Sequence, residues 1–146
     1  MVAGVCATIA AAAIGFAGPA HANPFSAQFE LPSADISCNL VNQPPTDTHS
    51  LPNNFVQCDI VNQSWVPPRP PPDGRPDATS TFLLVRGQPP VLGYSPGTLA
   101  AADQVDYDQP VSGGAIICRS EQLSVRCTDV TTGHFFRVSR ESYELG

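Results

Sequence analysis

Between Asp35 and Val41 the apolar residues Ile36, Cys38 and Leu40 alternate with Asp35, Ser37 and Asn39. A period of two sends the two sets to opposite faces of a half-buried strand. The same period runs through Phe55–Val61, with Val56, Cys58 and Ile60 on the apolar face. It returns in Leu123–Asp129, with Leu123, Val125 and Cys127 inward, and in His134–Arg140, with Phe136 and Val138 inward. Ala115–Arg119 adds a fifth strand. Thr81–Val85 adds a sixth, whose continuous run Phe82-Leu83-Leu84-Val85 predicts burial on both faces. The expected class is all-β: a small barrel or sandwich of about six short antiparallel strands.

Cysteine placement sharpens this picture. Cys38, Cys58 and Cys127 each fall on the apolar face of an alternating strand, and Cys118 shares a face with Ile116. Cys118 and Cys127 bracket the polar turn Ser120-Glu121-Gln122, and Cys38 and Cys58 bracket a longer loop. Hairpin pairing therefore favours Cys38–Cys58 and Cys118–Cys127 among the connectivities four cysteines allow. Each closure stabilises by about 2–4 kcal/mol on the loop-entropy estimate. Metal binding is the competing reading, but there is no C-x-x-C, and His49 and His134 are far apart in sequence. No metal or cofactor is expected. Ile36-Ser37-Cys38 followed by Val56-Gln57-Cys58-Asp59-Ile60 also echoes Ile116-Ile117-Cys118 followed by Val125-Arg126-Cys127-Thr128-Asp129. Two related cysteine-bearing hairpins packed together would build such a fold.

The leader explains why disulfides fit. Val2–Ala20 carries no charge and ends in Gly18-Pro19-Ala20-His21-Ala22, a helix break followed by a small-x-small cleavage pattern. Residues 1–22 read as a signal peptide and 23–146 as one all-β domain. A basic segment before the apolar run is missing, and a retained membrane anchor is the alternative. Cys6 lies inside the leader and not at its end, which argues against lipid modification at the cleavage point. The four remaining cysteines then enter an oxidising compartment.

Charge excludes one partner class. Against 13 acids there are 7 basic residues, all Arg, for a net charge of −6. Such a chain lacks the basic footprint that nucleic-acid binding requires. Residues 23–114 hold nine acids and three arginines, whereas 115–146 hold four of each. A cationic partner is expected to meet the first part. Six of the ten residues from Pro67 to Pro76 are proline, which predicts an extended, proline-rich surface connection over 66–76. Pro67-x-x-Pro70 and Pro68-x-x-Pro71 also have the spacing of ligands for proline-recognition domains.

Candidate chemistry is sparse. Gly93-Tyr94-Ser95-Pro96-Gly97 matches the G-x-S-x-G elbow, with Asp103 and His134 following in hydrolase order. Pro96, however, has no N–H to offer an oxyanion. Asp103, Asp106 and Asp108 cluster around Tyr107 without the glycine and terminal Glu of a calcium loop. His134, in Thr131-Thr132-Gly133-His134-Phe135-Phe136, reads as a turn imidazole or an acid/base.

The runs Ser112-Gly113-Gly114-Ala115-Ile116-Ile117-Cys118, Val125-Arg126-Cys127-Thr128-Asp129 and Thr132-Gly133-His134-Phe135-Phe136-Arg137-Val138-Ser139-Arg140 resemble the C-terminal signature of a family of exported actinobacterial proteins of unknown function. Ile36-Ser37-Cys38, Val56-Gln57-Cys58-Asp59-Ile60, and Trp65 followed by the proline run extend the resemblance over nearly the whole mature chain. It implies a cell-envelope or secreted location and transfers no catalytic residues. Family members commonly carry two further cysteines, where this chain has Gly74-Arg75-Pro76-Asp77 and Leu92-Gly93-Tyr94-Ser95-Pro96-Gly97-Thr98. This chain also has Phe135 where the family has glycine.

The expected function is a non-enzymatic interaction module for a protein or cell-wall glycan, acting through the Tyr94–Tyr107 loop. Tyr94, Tyr107, Asp103, His134 and Trp65 are its candidate interaction residues. A small extracytoplasmic hydrolase using Asp103 or His134, and a purely structural envelope protein, are the alternatives.

Overall fold

The computed structural model describes residues 25–44, 52–75, 78–99 and 103–146. The leader, its cleavage position and His49 lie outside the described residues. Among the described residues no helix is long and apolar enough to cross a membrane.

The chain forms β1 (Phe25–Glu30), β2 (Ile36–Asn42), β3 (Asn54–Ile60), β4 (Thr79–Val85), β5 (Val91–Ser95), β6 (Asp103–Gln104), β7 (Pro110–Gly113), β8 (Ile116–Ser120), β9 (Ser124–Asp129), β10 (Phe135–Ser139) and β11 (Tyr143–Leu145). A six-stranded sheet runs β5-β4-β3-β2-β1-β6, and a five-stranded sheet runs β11-β10-β9-β8-β7. Neighbours are antiparallel except β6, which lies parallel to β1 with Asp103 opposite Phe29. The all-β expectation holds, with more strands than the alternation reveals. β5 is interrupted by Gly93, β7 opens on a proline, β6 has two residues and β11 is largely polar. These strands pair at sheet edges, where a strong apolar face is not required.

Inward residues of both sheets form one core. Phe82 of β4 meets Phe136 of β10 with ring centroids 5.5 Å apart, and both are fully buried. Cys38 lies directly opposite Cys58 in the β2–β3 ladder, and Cys118 opposite Cys127 in β8–β9. Both pairs are bonded, and all four side chains are buried. Each sheet thus contributes one cross-strand disulfide to the shared core.

Two details of the alternation differ from expectation. β4 is not buried on both faces: Ser80, Phe82 and Leu84 point inward, while Thr79, Thr81, Leu83 and Val85 are half-exposed. The second sheet covers only one side of it. Leu123 is 65% exposed because β9 begins at Ser124. Glu121 N–H donates to Ser124 O and closes the turn before the pleat reaches Leu123.

Buried polar groups tie the sheets together. Asn54 Nδ2 donates to Val41 O (3.0 Å) and Gly113 O (2.9 Å), and its Oδ1 accepts from Ala115 N–H (2.8 Å). Gly114 sits beside it at φ +60°, and a Cβ there would lie 2.6 Å from both Asn42 Oδ1 and Asn54 Oδ1. Asp129 makes the second tie. Its Oδ2 accepts from Gly87 N–H of the β4–β5 turn (2.6 Å), and its Oδ1 from Thr131 N–H (2.8 Å) and Thr131 Oγ1 (2.6 Å).

The segment after β3 also serves packing. Trp65 packs at a tilt against Tyr143 (4.7 Å) and edge-on to Phe82 (5.9 Å), and its Nε1–H donates to Ser139 O (3.0 Å). Beyond it the proline run is largely exposed, with one short 3₁₀ turn at Pro72–Gly74.

Candidate binding surface

Pairing registers place a polar surface on the outer face of the six-stranded sheet. One row crosses five strands as Glu30, Ser37, Asp59, Thr81 and Gly93. The row beside it reads Gln28, Asn39, Gln57, Leu83 and Val91. With strands about 4.8 Å apart, each row spans roughly 19 Å. The rows exist because β1 to β3 place carboxyl, amide and hydroxyl side chains at the positions alternating with their core residues.

At one end lies a cavity of about 270 Å³ lined by Glu30, Asp35, Ser37, Asp59, Thr98 and Leu99. Asp59 is outward-facing yet only 2% exposed, because the Thr98–Leu99 segment covers it. Its Oδ1 accepts from Gln57 Nε2 (3.1 Å) and its Oδ2 from Leu99 N–H (3.0 Å). Asp35 accepts from Asn62 Nδ2 (3.1 Å) and lies 3.8 Å from Arg140 Nε. Among the described residues no group of His, Cys, Asp and Glu is arranged to hold a metal ion.

At the other end the proline run folds back on β5. Tyr94 donates its hydroxyl proton to Arg69 O. Pro67, Pro68, Pro70, Pro72, Leu92 and Tyr94 then frame a mainly apolar groove of about 220 Å³. Proline carries no N–H, so the run can lie along the edge strand without adding another strand to it. On the same face, Asn39 Oδ1 and Thr81 Oγ1 are shielded from solvent and have no hydrogen-bond partner among the described residues. Leaving such an atom unpaired costs about 1–3 kcal/mol.

The candidate residues are dispersed. Tyr94 lies on β5 at one edge of the six-stranded sheet. Asp103 lies on β6 at the opposite edge, with exposed Tyr107 just beyond it. Tyr94 and Tyr107 thus stand at opposite edges of the sheet and share no aromatic patch. His134 lies on the other sheet, ahead of β10, with Nδ1 3.3 Å from Gly146 O and its backbone N–H on Thr132 Oγ1 (3.2 Å). It borders neither the cavity nor the groove. Ser95 Oγ is held in its own turn on Gly97 O (2.6 Å). Positive φ in the β9–β10 turn falls on Gly133, at +83°, so Phe135 takes its place in β10 without strain.

Asp59 and Asp129 escaped sequence reading. Asp59 occupies a polar strand position, and only the crossing of Leu99 buries it. Asp129 had one local sign, since Asp followed by Thr131, Thr132 and Gly133 is turn chemistry. Burial raises the Asp129 pKa, but the bonds from the Thr131 hydroxyl, Gly87 N–H, Thr131 N–H and the Thr132 hydroxyl outweigh it. Together they hold the carboxyl at about 2. A carboxylate so engaged is an acceptor in the fold and no proton donor at neutral pH.

Comparison of the chain with protein families, with curated proteins and with solved structures returned no match.

Proposed function

We propose that this chain is an extracytoplasmic, non-enzymatic binding module whose ligand is a glycan of the cell envelope, bound along the outer face of the six-stranded sheet. The observation that carries the reading is the double row of amide, hydroxyl and carboxyl side chains that register places across five strands of that face. Sugar hydroxyls both donate and accept, which complements such a face. A protein partner would call for a central apolar or aromatic anchor, and the rows offer Leu83 and Val91 only at their end. Two buried disulfides fit an oxidising compartment, and the resemblance to exported proteins supports the same location.

Sedimentation with purified, insoluble cell-wall glycan tests this. The protein should partition with the pellet, and Gln28→Ala combined with Glu30→Ala should return it to the supernatant while leaving the thermal melt unchanged. A wild-type protein that stays in the supernatant refutes the reading. Release of soluble reducing ends, abolished by His134→Ala or Asp103→Ala, would establish the hydrolase alternative instead.

A further inference from the structure

The solvent face of the five-stranded sheet carries a pattern that the chain's overall acidity conceals. Arg119 of β8 is directly opposite Arg126 of β9, which is directly opposite Arg137 of β10. The row continues to Pro110 of β7 on one side and Glu144 of β11 on the other. Three of the chain's seven basic residues therefore stand in one line, about 10 Å long at the usual strand spacing.

Like charges directly opposite one another across strands are destabilising, so such a line is costly in the free protein. Direct polar contacts relieve it at its ends. Arg137 Nε donates to Glu121 Oε2 (2.7 Å), with Glu144 opposite on β11. Arg119 Nη1 donates to the backbone oxygen of Asp108 (3.2 Å). Arg126, in the middle, makes no direct carboxylate contact among the described residues, although its charge, after the Ser124 hydroxyl and Arg137, helps hold the Glu121 carboxyl below its usual range. Its guanidinium lies 3.6 Å over the Phe135 ring, which fixes the plane of the fork and leaves its N–H edge available. Beside the arginines runs a second row, Ser112, Ile117, Thr128 and Phe135. Hydroxyl, apolar and aromatic groups thus line the cationic strip along one side.

We propose that this face is a second binding site, for a linear acidic polysaccharide bearing carboxylates on its sugar rings. Carboxylates would take the guanidinium forks, Arg126 foremost, while ring faces and hydroxyls meet Ile117, Phe135, Ser112 and Thr128. Charge density selects this class. Duplex nucleic acid presents a charge roughly every 1.7 Å and would require more cations than three, on a chain without excess acid elsewhere. An anionic bilayer is recognised by clusters of about four to eight cations, usually with an inserting apolar element, and this face is a flat sheet. A polymer with carboxylates spaced by whole sugar rings matches a short straight row. The site is independent of the six-stranded face, so either assignment can fail without the other.

The test measures binding of the full chain, disulfides intact, to polygalacturonate at low and high salt. Neutral dextran, polyphosphate and vesicles containing phosphatidylglycerol serve as comparison probes. Wild-type protein should bind polygalacturonate at low salt, release it as salt rises, and ignore dextran. Arg119→Gln combined with Arg126→Gln should weaken binding at least about tenfold, the loss expected for charge-assisted hydrogen bonds. Glu144→Gln removes the carboxylate at the end of the row and should strengthen it, a gain no folding defect can mimic. Absence of binding to polygalacturonate, indifference to the arginine changes, or equal binding to polyphosphate or vesicles would overturn the proposal.

Discussion

Asp129 offers the sharpest test of how the two sheets are held together. Its carboxylate is fully buried and joins the Gly87 turn of one sheet to the Thr131 turn of the other. The pKa falls from 3.8 to about 2, equivalent to about 2 kcal/mol of preference for the ionised form in the native state. That is a large share of the roughly 5–15 kcal/mol of a small domain. The unfolded chain binds the proton more readily, so the contribution is complete above the unfolded value of 3.8 and is lost as pH falls towards about 2. Asp129→Asn keeps the shape, removes the charge, and turns an N–H₂ group towards one of the present donors. Urea unfolding of the oxidised protein across the acid range should show the variant about 2 kcal/mol less stable at neutral pH. The difference should begin to narrow near pH 4 and be largely gone near pH 2. A gap that stays constant over this range would refute the assignment of the stabilisation to the ionised carboxylate.

Other consequences follow from the same packing. Replacing Cys118 and Cys127 with Ala should cost about 2–4 kcal/mol in chemical denaturation. Intact mass before and after reduction should differ by four hydrogens, because both bonds form in the folded chain. Gly114→Ala should lower stability by about 2 kcal/mol or more, read as a fall in the denaturation midpoint, because it adds left-handed strain to a clash with Asn42 and Asn54. Trp65→Ala should cost about 3 kcal/mol by removing a ring packed on Phe82 and Tyr143 and stranding Ser139 O. Trp65→Phe should recover much of the packing, as reported by the thermal midpoint.

The core strands were legible because each has one buried face, which forces a period of two on β2, β3, β9 and β10. The same rule set the disulfides: cysteines on inward positions of adjacent hairpin strands end up opposite one another. Edge strands were not legible. β5, β6, β7 and β11, and β1 one place in from its edge, take their conformation from a neighbour's hydrogen bonds, and little in their own residues demands it. Leu123 shows the opposite error, an apolar residue in the right phase that a turn removes from the sheet.

Both candidate surfaces divide in the same way. Sequence determined that polar residues alternate with the core residues, and that the arginines and acids are unevenly distributed along the chain. It could not show that Arg119, Arg126 and Arg137 share a line, or that Glu30, Ser37, Asp59 and Thr81 do. Those rows are set by strand register, which sums contributions from the core and turns of every neighbouring pair, and one residue of slip would send each side chain to the other face. Alternation is local and is written into the chain, whereas registry between strands far apart in sequence is fixed only when the two sheets close on their common core.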